Sequence, residues 1–380
     1  MKKIIPIIFV LMIFMLAGCA KSLIKLVFND DRDSHLMFGK NPERNFFVPI
    51  VISDSLKEAW ENEVFGGFTN NSVIYKDSII ITGDLGGRIH CFNIVNGKQV
   101  GVIKTKGSVY STPLIINYKL VYALVDQTEN ITELIYYDMY NGIELKTIEI
   151  EGRVLSQMIL DHEDLVLCTE NGYVKKYSGN GDLIWEYDAK SGLYANSALI
   201  DSNLLIANVK GEIISLNSAR GKLNYRIKFN APFFSGITID SSLAYIADNE
   251  GVLYSFNVTD GKKLWSYKTS SRIIMNPAVD RHNVYIGNLR GDLYAFDKIS
   301  GDLLWKTDLD GSLNSTPLIT ENLIVISNLF KKFSFIDKTN GFCVKDYELD
   351  ARCRLSPVII NKRLIIGYDD GVLKAYDFVF

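Results

Sequence analysis

The residue types able to do covalent or metal chemistry are few and scattered. Four histidines, His35, His90, His162 and His282, fall in different parts of the chain. None stands in the HExxH spacing that sets two imidazoles on one helix face. Cys91, Cys168, Cys343 and Cys353 lie far apart with no CxxC among them, whereas zinc needs closer ligand spacing. Cys91 in Arg-Ile-His-Cys-Phe and Cys168 in Leu-Val-Leu-Cys-Thr sit inside apolar runs, as buried free thiols do. Cys343 and Cys353 remain candidates for a bridge between neighbouring strands. No GxSxG, Walker loop or GxGxxG following a strand occurs, and Gly86-Gly87 reads as a hairpin turn. The acidic run Asn29-Asp-Asp-Arg-Asp33 has oxygen ligands but lacks the glycine and terminal glutamate of an EF-hand loop. We expect no catalytic residue, no metal and no cofactor.

The fifth cysteine stands apart. Lys2 and Lys3 precede an apolar stretch from Ile4 to Leu16, followed by Ala17-Gly18-Cys19. A basic start, a short apolar core and small residues before a cut describe a secretory signal, and the stretch is too short to span a bilayer, which takes roughly 20 apolar residues. Leu16-Ala-Gly-Cys19 resembles the bacterial lipobox, which implies cleavage after residue 18 and acylation of Cys19. Ala20, where an aspartate would signal inner-membrane retention, favours the outer membrane. Removing residues 1–18 takes away Lys2 and Lys3 but no acid, moving the net charge from −3 to −5. Mild acidity without a lysine-arginine run argues against nucleic acid. Hydrophobic residues at 47% and charged residues at 22% suit a folded globular chain.

The elements that would position any site come from a repeat. Its clearest copies are Gly291-Asp-Leu-Tyr-Ala-Phe-Asp-Lys-Ile-Ser-Gly301-Asp-Leu-Leu-Trp305 and Gly251-Val-Leu-Tyr-Ser-Phe-Asn-Val-Thr-Asp-Gly261-Lys-Lys-Leu-Trp265. The second glycine recurs at 97, 142, 181, 221, 261, 301 and 341, at spacings of 45, 39, 40, 40, 40 and 40. Around Trp305, residues 274–279, 283–287, 292–296 and 303–307 read as four short strands, with glycines at the hairpins. Four-stranded units at this period are propeller blades. Eight copies of the third-strand motif occur, yet the last, 371–378, has no fourth strand after it. Ser55-Leu-Lys-Glu-Ala-Trp60 supplies one, with Trp60 standing where other units have Trp185, Trp265 and Trp305. We expect an all-β, eight-bladed propeller closed by that N-terminal strand. Its aromatics, with Tyr225 in blade four, should pack between blades. Blades one, two and seven have Gly101, Lys146 and Lys345 instead, so their seams should be looser.

The motif Ala295-Phe-Asp297-Lys-Ile-Ser-Gly301-Asp-Leu-Leu-Trp305 resembles the repeat of PQQ-like β-propellers, and His35-Leu-Met-Phe-Gly-Lys-Asn-Pro-Glu-Arg44-Asn is similar to the segment such propellers carry before blade one. The division is then a signal over residues 1–18, a lipid anchor and flexible stalk over 19–35, and the propeller over 36–380. Lipobox, length and blade number together resemble the BamB family of outer-membrane lipoproteins. That resemblance implies a periplasm-facing scaffold binding a BamA-like barrel insertase, without catalysis, through the loops after the outer strands of blades three and four. Those loops, 188–195 and 228–234, lack the family's arginine and aspartate pair but carry Leu193, Tyr194, Phe233 and Phe234 as candidate contacts. Two rivals are a quinone- or small-molecule-binding propeller enzyme and a glycan-binding surface lipoprotein. Quinoprotein dehydrogenases are longer and carry adjacent cysteines and inserted calcium loops, none of which this chain has.

Overall fold

The computed structural model describes residues 23–28 and 34–380. Cys19 and the acidic run 29–33 lie outside the described residues. Among the described residues, 32 strands form eight four-stranded antiparallel sheets. Blade six shows the pattern, running outward through Ala278–Val279, Asn283–Gly287, Asp292–Asp297 and Leu303–Asp308. The second and third strands are buried on both faces, while the outer strand alternates between exposed and half-buried positions. The inner strand is shorter than its sequence suggests. Residues 274–277 leave the ladder, Ile274 to line the axial opening and Asn276 to accept at Oδ1 from Asn196 Nδ2 at 3.0 Å.

Closure follows the expected route. Leu56–Glu63 pairs antiparallel with Val372–Phe378, setting Trp60 opposite Ala375. Blade eight is thus built from both ends of the propeller chain, which leaves no blade with an unpaired third strand.

The seams explain the repeat. The Trp265 ring lies on Gly301 of the next blade, where an added Cβ would come within 2.5 Å of the indole, and Gly301 has φ +78°. The position is therefore closed to other residues twice, by backbone geometry and by the ring on top of it. Trp265 Nε1 also donates to Lys298 O, three residues before that glycine, at 3.2 Å. The same bond recurs from Trp60 to Ile94 O, Trp185 to Ser218 O and Trp305 to Lys338 O, and from the Tyr225 hydroxyl to Val258 O. Trp60 and Trp185 are buried and Trp265, Trp305 and Tyr225 half-buried, so each contributes up to roughly 2–3 kcal/mol through apolar burial, and its polar tip finds an acceptor, as indoles and phenols taken from water require.

The blades without that aromatic are not simply loose. In blade two, Tyr136 comes from the third strand instead of the outer one, lies against Gly181 and donates to Ser178 O at 3.1 Å. Lys146 adds a bond to Gly181 O at 2.7 Å. Between blades one and two the filler comes from outside the repeats. Ile24 is fully buried over Gly101, the Lys25 stem covers Gly142, and Leu26 N donates to Met139 O at 2.7 Å. Blade seven faces a blade that ends without a third-to-outer turn, so no seam glycine exists for an aromatic to cover. There Tyr347 donates to Asp54 O and accepts from Leu56 N.

The ring has two faces. The turns that carry the seam glycines lie on one, here the glycine face; the links between blades lie on the other, the link face. Residues 34–52 fill the axis from the glycine face. Carbonyls of Pro42, Glu43, Asn45 and Phe46 accept from Leu199, Ile239, Val279 and Ile319, one on each of four successive inner strands. His35 and Tyr75 exchange two further bonds. Inner-strand amides that would otherwise face an empty channel are thereby satisfied. Arg44 is wholly buried, donating to Ser197 O at 2.6 Å, Phe38 O at 3.2 Å, Gln157 O at 2.9 Å and Met158 O at 3.1 Å. Burial pushes its guanidinium down to about 9, still charged at neutral pH. The four cysteines among the described residues are free thiols. Cys343 opens an outer strand near the glycine face and Cys353 lies beyond that strand's far end, so the candidate bridge does not form.

Two outcomes test these contacts. Tyr225→Phe keeps the ring but removes the hydroxyl bonded to the Val258 carbonyl and to the Ser215 side chain, so it should cost about 1 kcal/mol or more in denaturant unfolding; no loss would remove the bond from the account. Arg44→Met leaves four carbonyls without a donor and should cost about 3 kcal/mol or more, with Arg44→Lys recovering only part, because an ammonium lacks the guanidinium's fork. Parent-like stability for Arg44→Met would contradict the axial anchor.

Candidate functional site: the axial bowl

Arg44 and the ring above it close the channel at depth, leaving a bowl of about 470 Å³ on the link face. Its rim follows the repeat. Offsetting one link position by the same spacing as the glycines gives Asn70, Tyr110, Leu155, Tyr194, Phe234, Ile274, Asn314 and Arg354. All but Asn314, which is buried, line the bowl. Seven of the eight blades thus offer a side chain from this position to a common opening, polar at Asn70 and Arg354 and aromatic or aliphatic at the other five.

Two residues further along lies a polar floor. Thr112 N donates to the Gln157 carboxamide oxygen at 2.7 Å, and Gln157 N to Asn196 Oδ1 at 3.0 Å. The Gln157 amide reaches Asn70 O and Tyr110 O, both at 3.3 Å. Gly236 occupies this layer because the Asn276 amide lies against its backbone and crosses toward Asn196. Side-chain amides so held present fixed dipoles, and the rim around them is aromatic and aliphatic apart from Asn70 and Arg354.

The four loop residues singled out by sequence divide by depth. Tyr194 and Phe234 are 38% and 37% exposed, with ring centroids 5.9 Å apart, at the bowl's edge. Leu193 and Phe233 are buried at 1% and 0%; Phe233 packs on Phe229 and Tyr254. Adjacent residues of an extended link point to opposite sides, so one of each pair had to turn inward. Phe65 and Phe330 add exposed rings on the same face, with the Arg88 guanidinium stacked 3.7 Å from the Phe65 centroid. Other bowl residues, among them Asn70, Tyr110, Gln157, Asn196 and Arg354, escape motif reasoning. Projecting the repeat offset onto the links would have found the rim.

Reactive groups elsewhere are held quiet. Burial raises the Cys168 thiol to about 12 and those of Cys343 and Cys353 to about 11, far from the thiolate form a nucleophile needs. His162 and His282 are exposed, and His35 and His90 are buried. His90 pairs with Asp84 at 2.8 Å, and that carboxylate also accepts from Gly66 N and Arg88 N. Desolvation opposes the Asp84 charge, yet these bonds outweigh it and hold the carboxyl below its usual range. The pair fastens a link and a turn of blade one. No cluster of three metal-binding side chains occurs among the described residues.

Solved structures repeat this architecture at low identity. BamB from Moraxella catarrhalis superposes with a TM-score of 0.73 at 15% identity, covering 85% of this chain and 100% of its own. The quinohemoprotein alcohol dehydrogenase of Comamonas testosteroni gives 0.75 at 10%, covering 90% and 80%. A europium-containing methanol dehydrogenase gives 0.76 at 9%, covering 92% and 99%. These likenesses establish the fold alone, since one propeller hosts many activities. No curated protein matches in sequence. The family model described as outer membrane protein assembly factor BamB matches residues 170–273 and 270–377, together more than half of the chain. By that match, this propeller belongs to the BamB family.

Proposed function

We propose that the chain is a non-catalytic scaffold of the cell envelope, lipid-anchored through Cys19 in the outer membrane and facing the periplasm. It holds a protein partner against the link face during outer-membrane β-barrel assembly, and the partner is a BamA-like barrel insertase. Family membership is the observation that carries this reading. The link face supports it, because Tyr194, Phe234, Phe65 and Phe330 give exposed rings around a bowl lined with amides. Contact cores favour such rings, which bury large area at small entropic loss. The anchor rests on the Leu16-Ala-Gly-Cys19 tetrad. A quinone-dependent enzyme would share the ring, but here Arg44 and residues 34–52 occupy the axis below a shallow bowl.

A photocrosslinking residue at 194 or 234, introduced into the full chain in living cells, should give adducts with a barrel insertase. The same probe at Ile299, exposed on the glycine face, should not. Alanine at both Tyr194 and Phe234 should weaken the association on the order of tenfold or more. Adducts from 299 alone, or no insertase among them, would sink the proposal.

A further inference from the structure

The seam filler Leu23–Phe28 ends a short chain path. Only Ala20, Lys21 and Ser22 separate Leu23 from Cys19, a reach of at most about 14 Å for extended backbone. Leu23–Phe28 is fixed to blades one and two by Ile24, Lys25 and Leu26. An acylated Cys19 would therefore bring one particular corner of the ring to the bilayer.

That corner is apolar. Leu26, Val27 and Phe28 form a groove of about 440 Å³ with Tyr118, Tyr140 and Leu145 of blade two. Tyr118 and Tyr140 are 62% and 64% exposed, and Val27, Ile143 and Leu145 are exposed beside them. The tyrosines sit in the first-to-second and third-to-outer turns of that blade, on the glycine face. Three nearby charged groups, Asp138, Lys119 and Glu144, are hydrogen-bonded within the protein, while Lys25 is exposed beside them. Asp138 accepts from Tyr140 N at 2.8 Å and Asn141 N at 3.1 Å. Lys119 donates to Gly179 O at 2.8 Å, and Glu144 accepts from Thr147.

We propose that this corner of blade two is a lipid-contact surface, seated in the interfacial layer of the bilayer to which Cys19 is attached. The proposal rests on the acylated-Cys19 reading given above. With acylated Cys19 at most about 14 Å of chain from Leu23, lipid is the apolar phase this corner is bound to lie near, which favours it over a protein occupant. Tyrosine suits the place, with a ring for the acyl boundary and a hydroxyl for the headgroups. The bowl opens on the opposite face, so this seating turns its rim away from the membrane and toward a soluble partner.

The test uses the full-length protein from membranes, reconstituted in vesicles of phosphatidylethanolamine and phosphatidylglycerol doped with brominated lipid. Tyr118→Trp, Tyr140→Trp and Tyr194→Trp are compared with the parent chain, whose tryptophans lie in the seams. Mass spectrometry of the Cys19 peptide reports acylation. The added emission from positions 118 and 140 should be quenched more than about twofold, and that from 194 left unchanged. Acylated protein with equal quenching at all three positions, or none at 118 and 140, overturns the lipid surface while leaving the anchor standing. Unmodified Cys19 overturns both, because nothing would then hold Leu23 at a bilayer.

Discussion

An indole or phenol lying on a glycine of the next blade, its donor bonded to the carbonyl three residues earlier, is the contact on which this molecule depends. It goes with the period, since in five of the eight seams an aromatic meets a glycine 36 or 37 residues further along the chain. It also closes the ring, because Trp60 makes the same bond to Ile94 that Trp305 makes to Lys338. The interaction has little tolerance. An added methyl at Gly301 would overlap Trp265, and a well-packed seam relaxes only partly around such a change.

The seam logic extends where the repeat fails. Leu26 supplies through its backbone the donor that blade one lacks, and Ile24 supplies the apolar bulk. Tyr136 performs the same task from a different strand. What is kept is the donor on the carbonyl, and what varies is its source. A ring closed in this way still has a hole along its axis, and residues 34–52 fill it. Arg44 ties blades three and four to the axial segment through carbonyls alone. The consequence for function is geometric: what remains accessible is a shallow bowl and a broad rim, a shape that suits holding another surface.

Much of this is legible in the residues. The eight copies of the third-strand motif give eight blades, and Trp60 shows where the last one finishes. The replacements at blades one and two are not legible, because Tyr136 breaks the position rule and Leu23–Phe28 meets its seam across more than 75 residues of sequence. Nor does sequence say which of Leu193 and Tyr194, or Phe233 and Phe234, faces outward; both members of each pair are apolar or aromatic, so alternation carries no hydropathy signal. The buried His90 and Asp84 pair is hidden for a related reason, since their six-residue separation spans a turn that only the fold brings together.

The seam contact is tested most directly by a double-mutant cycle on Trp265→Leu and Gly301→Ala, read by equilibrium unfolding. If the ring lies on the glycine, Gly301→Ala should cost about 3 kcal/mol in the parent chain but only about 1–2 kcal/mol beside Trp265→Leu, where the positive-φ penalty alone remains. The coupling should then exceed about 1 kcal/mol. Costs that simply add, to within about 0.5 kcal/mol, would show that the two residues do not bear on each other and would contradict the account.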